Sequence, residues 1–349
     1  MIKKINNIYF FLLVTYAFVF SLMKINFINF YWQGVIRVCL INIMLVASLN
    51  LATGFVGQLF LSHSSSVMIG AYFSAAVTMF VKSRGALEFS TSVFLSGIMS
   101  ACLAFAVGKA ILKVPGVYVA MLTLAINEII SSIINNTTSG TVRQIEYYPS
   151  FSAVFIFVFL VLLIFYKMLD SKLGRAMKAI SYDANLSRVC GIDVYRYRML
   201  SFLISAFVAG LCGAVYAHEV TIIDTEMFDY KYTFSLLSMV VIGGLGNLTG
   251  SIISAIVLTI VPHLFGLSES LKSVLYLAFM VLLLVFFPNG VFDYKKIDIK
   301  SIINRFKRKL NEIKNKVKKR DKKSKKIEKI KEDKNNKKNK EIDKTGEEK

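Results

Sequence analysis

The feature that most restricts this chain is a series of apolar runs, each about 16 to 20 residues long, separated by short polar breaks. A helix needs about 20 residues to cross ~30 Å of hydrocarbon, and only structures that satisfy their own backbone polar groups survive there. The runs fall near 8–23, 34–53, 62–81, 91–108, 117–135, 150–168, 199–218, 233–246, 250–265 and 272–288. They predict an all-α integral membrane protein with about ten transmembrane helices. A hydrophobic fraction of 55% over 349 residues agrees. The first run, Ile8 to Met23 after Lys3-Lys4, has the outline of a signal peptide. No small-x-small cleavage site follows it, so it reads as a retained first span.

Loop charge orients the spans. With the N-terminus inside, the inner loops before the tail hold eleven Lys and Arg, and the outer loops hold six. Only loop Lys and Arg count in this rule, and they place both termini in the cytoplasm of a multi-pass plasma-membrane protein. From Gly290 onward the chain carries 24 of its 42 basic residues against 11 acids, so the net charge of +20 is mostly a tail and gives no reason to expect nucleic acid. The organisation is then a transmembrane domain over 1–290, with a cytoplasmic loop at 171–198, and a basic tail over 291–349. Cys39, Cys102 and Cys212 fall inside apolar spans and Cys190 in a polar loop, without metal-ligand spacing.

Catalytic patterns are absent. There is no G-x-x-x-x-G-K-[ST] to cradle ATP and no H-E-x-x-H. His63, His218 and His263 stand far apart, so neither an enzyme nor a metal site is expected. Glu128 is the one acid deep in an apolar run, beside Asn127. An intramembrane charge costs at least ~2.5–3.5 kcal/mol on insertion scales, which points to a cavity wall, a gate or a structural hydrogen-bond post. His63, amid Ser62, Ser64, Ser65 and Ser66, follows the Gly54/Gly57/Gln58 break and reads more readily as helix capping and packing than as a ligand contact. The third span is expected to be partly re-entrant. Gly243, Gly244, Gly246 and Gly250 crowd the turn between spans eight and nine, where close backbone approach or a broken helix is expected. The acidic 219–232 segment, with Glu219, Asp224, Glu226 and Asp229, reads as a solvated outer face or a docking surface.

The segment 174–198 is the most informative polar stretch. Asp183 can cap a short helix beginning Ala184-Asn185-Leu186, and Gly191 can end it in the left-handed region. Seven residues fit between them, a rod roughly 10–11 Å long. A helix with both a start and a stop signal is a good docking knob, which a plain solvent loop would not need.

Taken in chain order, these pieces resemble the permease subunits of branched-chain amino-acid ABC importers, of the LivM type. Asn50-Leu51-x-Thr53-Gly54-x-x-Gly57-Gln58-Leu59-x-Leu61-Ser62-His63 with Gly70-Ala71-Tyr72 is similar to the family's early block, although here no glycine separates Ser62 from His63. Gly116-Val117-Tyr118 with Thr123-Leu124 and Glu128-Ile129, Gly174 through Gly191-Ile192, Arg198 through Ala217, Val241 through Gly250 and Pro288-x-Gly290 follow in family order. The resemblance covers roughly 35–292.

It implies the ABC importer permease fold and a heterodimer with a second permease subunit. It also implies an extracytoplasmic substrate-binding protein and two cytoplasmic ATPase subunits that carry ATP and Mg, with no cofactor on this chain. Asp183, Ala184, Asn185, Leu186, Ser187, Arg188 and Gly191 would dock the ATPase. Glu128, Asn127, His63, Gly54, Gly57 and Gln58 would lie on the translocation path or gate. Leucine, isoleucine and valine are the expected substrates, although permeases for urea, sugars and nucleosides share the architecture. From another class, an ion-coupled secondary transporter would use Glu128 as its coupling charge. A membrane scaffold would explain the tail but not the glycine-rich breaks.

The tail lies beyond the resemblance. Ile299, Ile302, Ile303, Phe306, Leu310, Ile313 and Val317 recur at helical spacing, and 299–320 carries ten Lys and Arg against Glu312 alone. That pattern predicts a helix lying on an anionic lipid surface, each nearby basic residue contributing on the order of 1 kcal/mol. Residues 321–349 hold too few apolar side chains to order. A peptide of residues 297–320 is expected to become helical on anionic vesicles and to release with salt. Equal binding to neutral vesicles in a circular-dichroism titration would refute the assignment.

Overall fold

The computed structural model describes residues 29–81, 86–114, 118–138, 140–142, 145 and 151–266, and the single positions 271, 274 and 278. The chain divides into two compact units, Met1–Asp293 and Tyr294–Lys349, and every described residue belongs to the first. The spans expected at 8–23 and 272–288, and the amphipathic tail helix at 299–320, lie outside the described residues.

The other eight expected spans are helices. They are α1 (Phe30–Thr53), α2 (His63–Val81), α3 (Ala86–Ile111), α4 (Tyr118–Thr138) and α5 (Phe151–Asp170), then, after two short helices, α8 (Val194–Val220), α9 (Tyr230–Gly243) and α10 (Leu248–Leu264). The short helices are α6 (Lys172–Tyr182) and α7 (Ala184–Val189). Five of them (α1, α4, α5, α8 and most of α3) are long and apolar enough to cross a membrane. Helix α8 begins five residues before the apolar run that signalled it, because Asp193 caps it, its side chain accepting from Arg196 N. Helix α9 has only 14 residues and stops at Gly243, short of the expected span end.

Helix α8 is the axis of the bundle, packing against α1, α2 and α3. Between hydrocarbon-solvated helices the attraction comes from van der Waals contact and hydrogen bonding, so small residues gather where backbones meet. Here Gly70 of α2 lies against the Gly210 backbone, and Gly213 lies against the Val67 carbonyl. On the other side, Ser100 of α3 packs on Gly210, and its hydroxyl donates to Ser66 O (3.2 Å) and Ala206 O (2.9 Å). One hydroxyl therefore reaches the backbones of both neighbouring helices. Most of the strongly apolar window is buried in α1 (83%) and α8 (72%) but little in α4 (22%), which makes α4 a peripheral element.

Beyond the far end of α8, two short strands pair antiparallel: β1 (Thr141–Val142) with β2 (Ile223–Asp224), Thr141 opposite Asp224. At the other end α6 and α7 form a polar corner. The bundle thus has two distinct ends, and α8, about 40 Å long, connects them.

Adding one methyl to the seam tests it. A Cβ at Gly213 would clash with the Val67 carbonyl, whereas one at Gly191 would meet nothing within 4 Å. Gly213→Ala is expected to lower stability by about 1–3 kcal/mol through overpacking, read as a drop in thermal midpoint in detergent. An unchanged midpoint would mean that the seam is not closely packed.

Candidate functional site

Three broken or shortened elements meet inside the bundle: the end of α1, the beginning of α2 and the α9–α10 hairpin. Each leaves helix termini whose backbone groups lack intrahelical partners. In hydrocarbon these must be satisfied by other parts of the chain.

Helix α2 begins at His63 in buried surroundings, and its start is served from a distance. Thr233 of α9 accepts from Ser64 N (3.0 Å) and donates to Ser64 Oγ (2.8 Å), which donates to Asn127 Oδ1 of α4 (2.7 Å). This relay links α9, α2 and α4 through side chains that are all buried. One turn earlier on the same face of α4, Thr123 Oγ1 accepts from Leu61 N (3.0 Å). His63 is buried and stands 3.2 Å from Ser48 Oγ of α1, and Ser48 O accepts from Ser205 Oγ of α8 (2.8 Å). The imidazole therefore packs α2 onto α1, and the cap expected from the neighbouring serines comes instead from Thr233. Three buried polar atoms in and beside this cluster have no hydrogen-bond partner: Gln58 Oε1, Ser62 Oγ and Asn127 Nδ2. Unsatisfied groups of this kind are the usual mark of a site that a polar ligand, water or a rearrangement can fill.

The residues expected from sequence separate into two sets. His63, Gln58 and Asn127 are buried at or beside the start of α2. Glu128 is not among them: it sits on the exposed face of α4, in line with Met121, Ala125 and Ile129. Because 127 and 128 lie about 100° apart on a helix, burying one turns the other outward.

Gly54 lies at a close backbone approach, and Gly57 takes a left-handed φ of 73°. Gly54 closes α1 where a Cβ would strike Gly246 N and Asn50 Oδ1, so the end of α1 touches the α9–α10 turn. Asn50 makes that junction: Nδ2 donates to Asn247 O (3.1 Å) and Ser251 Oγ (2.6 Å), and Oδ1 accepts from Gly246 N (2.9 Å). Gly244 and Gly246 have positive φ (96° and 75°), while Gly243 lies against Ser251. Asn247 caps α10 by accepting from Gly250 N (3.2 Å).

The polar corner carries the second candidate surface. Asp183 ends α6 and starts α7, its Oδ1 accepting from Asn185 N (2.8 Å) and Leu186 N (3.1 Å). At the other end Gly191 takes φ 81°, Gly191 N donates to Arg188 O and Ile192 N to Ser187 O, both at 3.0 Å. That pair of bonds is a Schellman closure. The helix is six residues long, with Cys190 as its C-cap and Gly191 one step beyond. Ser187 is buried and Ala184 half-buried, whereas Asn185, Leu186 and Arg188 are exposed. Tyr182 (91%), Leu186 (62%) and Val189 (84%) present apolar surface outward. Met177 and Ile180 hold α6 in the core, Ser181 touches Gly57, and Lys178 Nζ lies 5.6 Å from the Phe55 ring centre. The knob is thereby connected to the 54–62 segment that leads into the buried cluster.

Sequence reasoning overlooked the ion pair between Arg37 of α1 and Glu219 of α8. Arg37 Nε donates to Oε1 (2.9 Å) and Oε2 (2.8 Å), and both side chains are more than nine-tenths buried. The signal was available: Arg37 is a lone cation inside an apolar run, and such a residue needs a partner. Among the described residues no group of three or more His, Cys, Asp or Glu could hold a metal.

The profile of the family described as "Branched-chain amino acid transport system / permease component" matches residues 31–285. The high-affinity branched-chain amino acid transport system permease protein LivM of Escherichia coli (strain K12) is 26% identical over 300 residues, covering 75% of this chain and 70% of that protein. The LivH permease protein of the same organism is 26% identical over 130 residues, covering 37% of this chain and 42% of that protein. The probable LivM of Methanocaldococcus jannaschii is 26% identical over 182 residues, covering 48% and 52%. No solved structure matches.

The different environments of Asn127 and Glu128 generate a test. Asn127→Leu removes the acceptor of Ser64 Oγ–H, and membrane hydrogen bonds of this kind are worth about 0.6 to 2 kcal/mol. It is expected to lower the thermal midpoint in detergent and to cut uptake several-fold. Glu128→Gln keeps shape and hydrogen bonding on an exposed face and is expected to retain most of both. The reverse order of effects would move the functional centre from the buried cluster to the outer face of α4.

Proposed function

The chain belongs to the branched-chain amino-acid transport permease family, and on that premise we propose that it is one transmembrane subunit of an ATP-driven importer for leucine, isoleucine and valine. It is a multi-pass membrane protein. In this reading it pairs with a second permease subunit, receives substrate from an extracytoplasmic binding protein, and is driven by two ATPase subunits that carry ATP and Mg. Hydrolysis belongs to those subunits, and this chain supplies the path and the mechanical coupling. Both termini and the α6–α7 corner face the cytoplasm, with the β1–β2 end opposite, in the plasma membrane of the cell.

The observation that carries the reading is the α6–α7 knob. A six-residue helix capped at both ends, presenting Tyr182, Leu186 and Val189 outward from a polar corner, has the form of a docking element. Exposed apolar side chains at the tip of a rigid support favour a protein partner over water. The connections of α6 to Gly57 and Phe55 give a displacement of the knob a route to the 54–62 segment and so to the buried cluster. Helix α4, with only 22% of its apolar window buried, leaves its Met121–Glu128 face to the second permease subunit or to the passage between the two. The ion-coupled alternative is less well supported, because the charge it was expected to use, Glu128, lies outside the buried hydrogen-bond relay.

Gly191→Val tests the assignment. A β-branched residue is strained at φ 81° whatever the surrounding space, costing about 1–2 kcal/mol or more, and it would misdirect Ile192. In the reconstituted complex, leucine uptake and substrate-stimulated ATP hydrolysis are expected to fall together, at least several-fold, while membrane insertion stays normal. Normal uptake in this variant would remove the knob from the coupling route.

A further inference from the structure

At the end of the bundle opposite the α6–α7 knob, two connections that lie far apart in sequence are clasped together. Strand β1 follows α4 and β2 follows α8, and they pair over only two residues each, Thr141 with Asp224 and Val142 with Ile223. Among the described residues the pairing is supplemented by bonds in which Thr141 Oγ1 donates to Asp224 Oδ2 (3.0 Å), Thr225 N to Gly140 O (3.2 Å), and Ile145 N to Thr221 O (3.2 Å). Tyr72 OH of α2 also donates to Gly140 O. A two-stranded pair this short has little stability of its own.

Each strand is preceded by a residue in the left-handed region. Gly140 (φ 76°) stands immediately before β1, and Thr221 (φ 63°) stands one residue from β2. Thr221 is the one non-glycine residue with positive φ among the described residues, and it is β-branched, so the conformation is strained. Within this chain, the elements behind the two strands differ in how firmly they are held. The end of α8 is pinned by Arg37–Glu219 to α1 and by His218, whose Nε2 lies 3.0 Å from Ser74 Oγ, to α2. Behind β1, α4 has 22% of its apolar window buried against 72% for α8. Below the clasp, α4 and α9 are the two helices that contribute Asn127 and Thr233 to the relay at the start of α2.

We propose that the β1–β2 clasp is a latch closing the end of the permease opposite its ATPase-docking corner, and that it must part, with β1 and α4 swinging away from a stationary β2, in each transport cycle. Parting frees the connections that tie the ends of α4 and α9 together above the buried cluster and releases Thr221 O from Ile145 N. The proposal rests on the importer reading for its cycle, but it draws on residues outside the knob and the relay.

The test is a reversible cross-link in the assembled, reconstituted importer. Thr141→Cys and Asp224→Cys are introduced together, with each single variant carrying the same native cysteines as control. The directly opposed pair is expected to oxidise to completion with copper phenanthroline. Oxidation is expected to reduce leucine uptake at least tenfold in the double variant only, with recovery on adding dithiothreitol. Full cross-linking with undiminished uptake would show that the latch stays shut during transport. Failure to cross-link would show that the two strands are not paired, and either result overturns the proposal. Leucine uptake by the reduced double variant and by the unmodified complex reports separately on the importer reading, whose failure appears as no uptake before any oxidant is added.

Discussion

Everything in the bundle is positioned by how closely α8 approaches α2. At Gly70, Gly210 and Gly213 the two helices meet backbone to backbone, and on the other flank α3 closes against α8 through Ser100 and Gly97. Hydrocarbon gives apolar side chains no incentive to leave it for one another, so large residues in this seam would add little attraction and would hold the axes apart. With small residues, the hydroxyl of Ser100 reaches carbonyls on both neighbours. Helix α1 then docks on the free side of α8 through Ser205, and its level is set by Arg37–Glu219. Once α1 is set, so are the 54–62 segment and the start of α2.

The same scarcity of partners explains why the candidate site lies where it does. A helix that begins buried within the bundle must find acceptors for its first amides, and α2 finds one in Thr233, 169 residues away in the chain. A helix that ends against a hairpin turn must have that turn held, and Asn50 holds it with three bonds. The polar residues inside this protein are thus mainly those that complete broken helices. The relay Thr233–Ser64–Asn127 is directional, each hydroxyl donating onward, so loss of any member is felt at the others. The buried Arg37–Glu219 pair fits the same logic. Such pairs contribute little net stability, because desolvation offsets their attraction, but a wrong register of α1 on α8 would leave both charges unpaired.

Much of the architecture was legible in the sequence. In eight of the ten apolar runs the hydrophobic stretch alone identifies a helix, since in hydrocarbon few other conformations satisfy the backbone. The knob was legible down to its caps, because Asp183 and Gly191 act on residues within three positions of themselves. Gly243, Gly244, Gly246 and Gly250 marked the α9–α10 turn for a similarly local reason. Thr233 gave no signal, as nothing around it distinguishes a serving threonine from an ordinary one in a helix.

What the sequence determined by itself was therefore what depends on neighbours along the chain: the positions of the described helices, the caps of α7 and the tight hairpin. What only the tertiary structure decided was which of two adjacent polar residues on α4 faces the interior. Sequence reading favoured Glu128 for its charge, and the fold buries Asn127. That outcome is set by the rotation of α4 about its own axis, which Leu61 N on Thr123 and Ser64 Oγ on Asn127 fix. These partners lie 62 and 63 residues away, and no local rule of helix formation reaches that far.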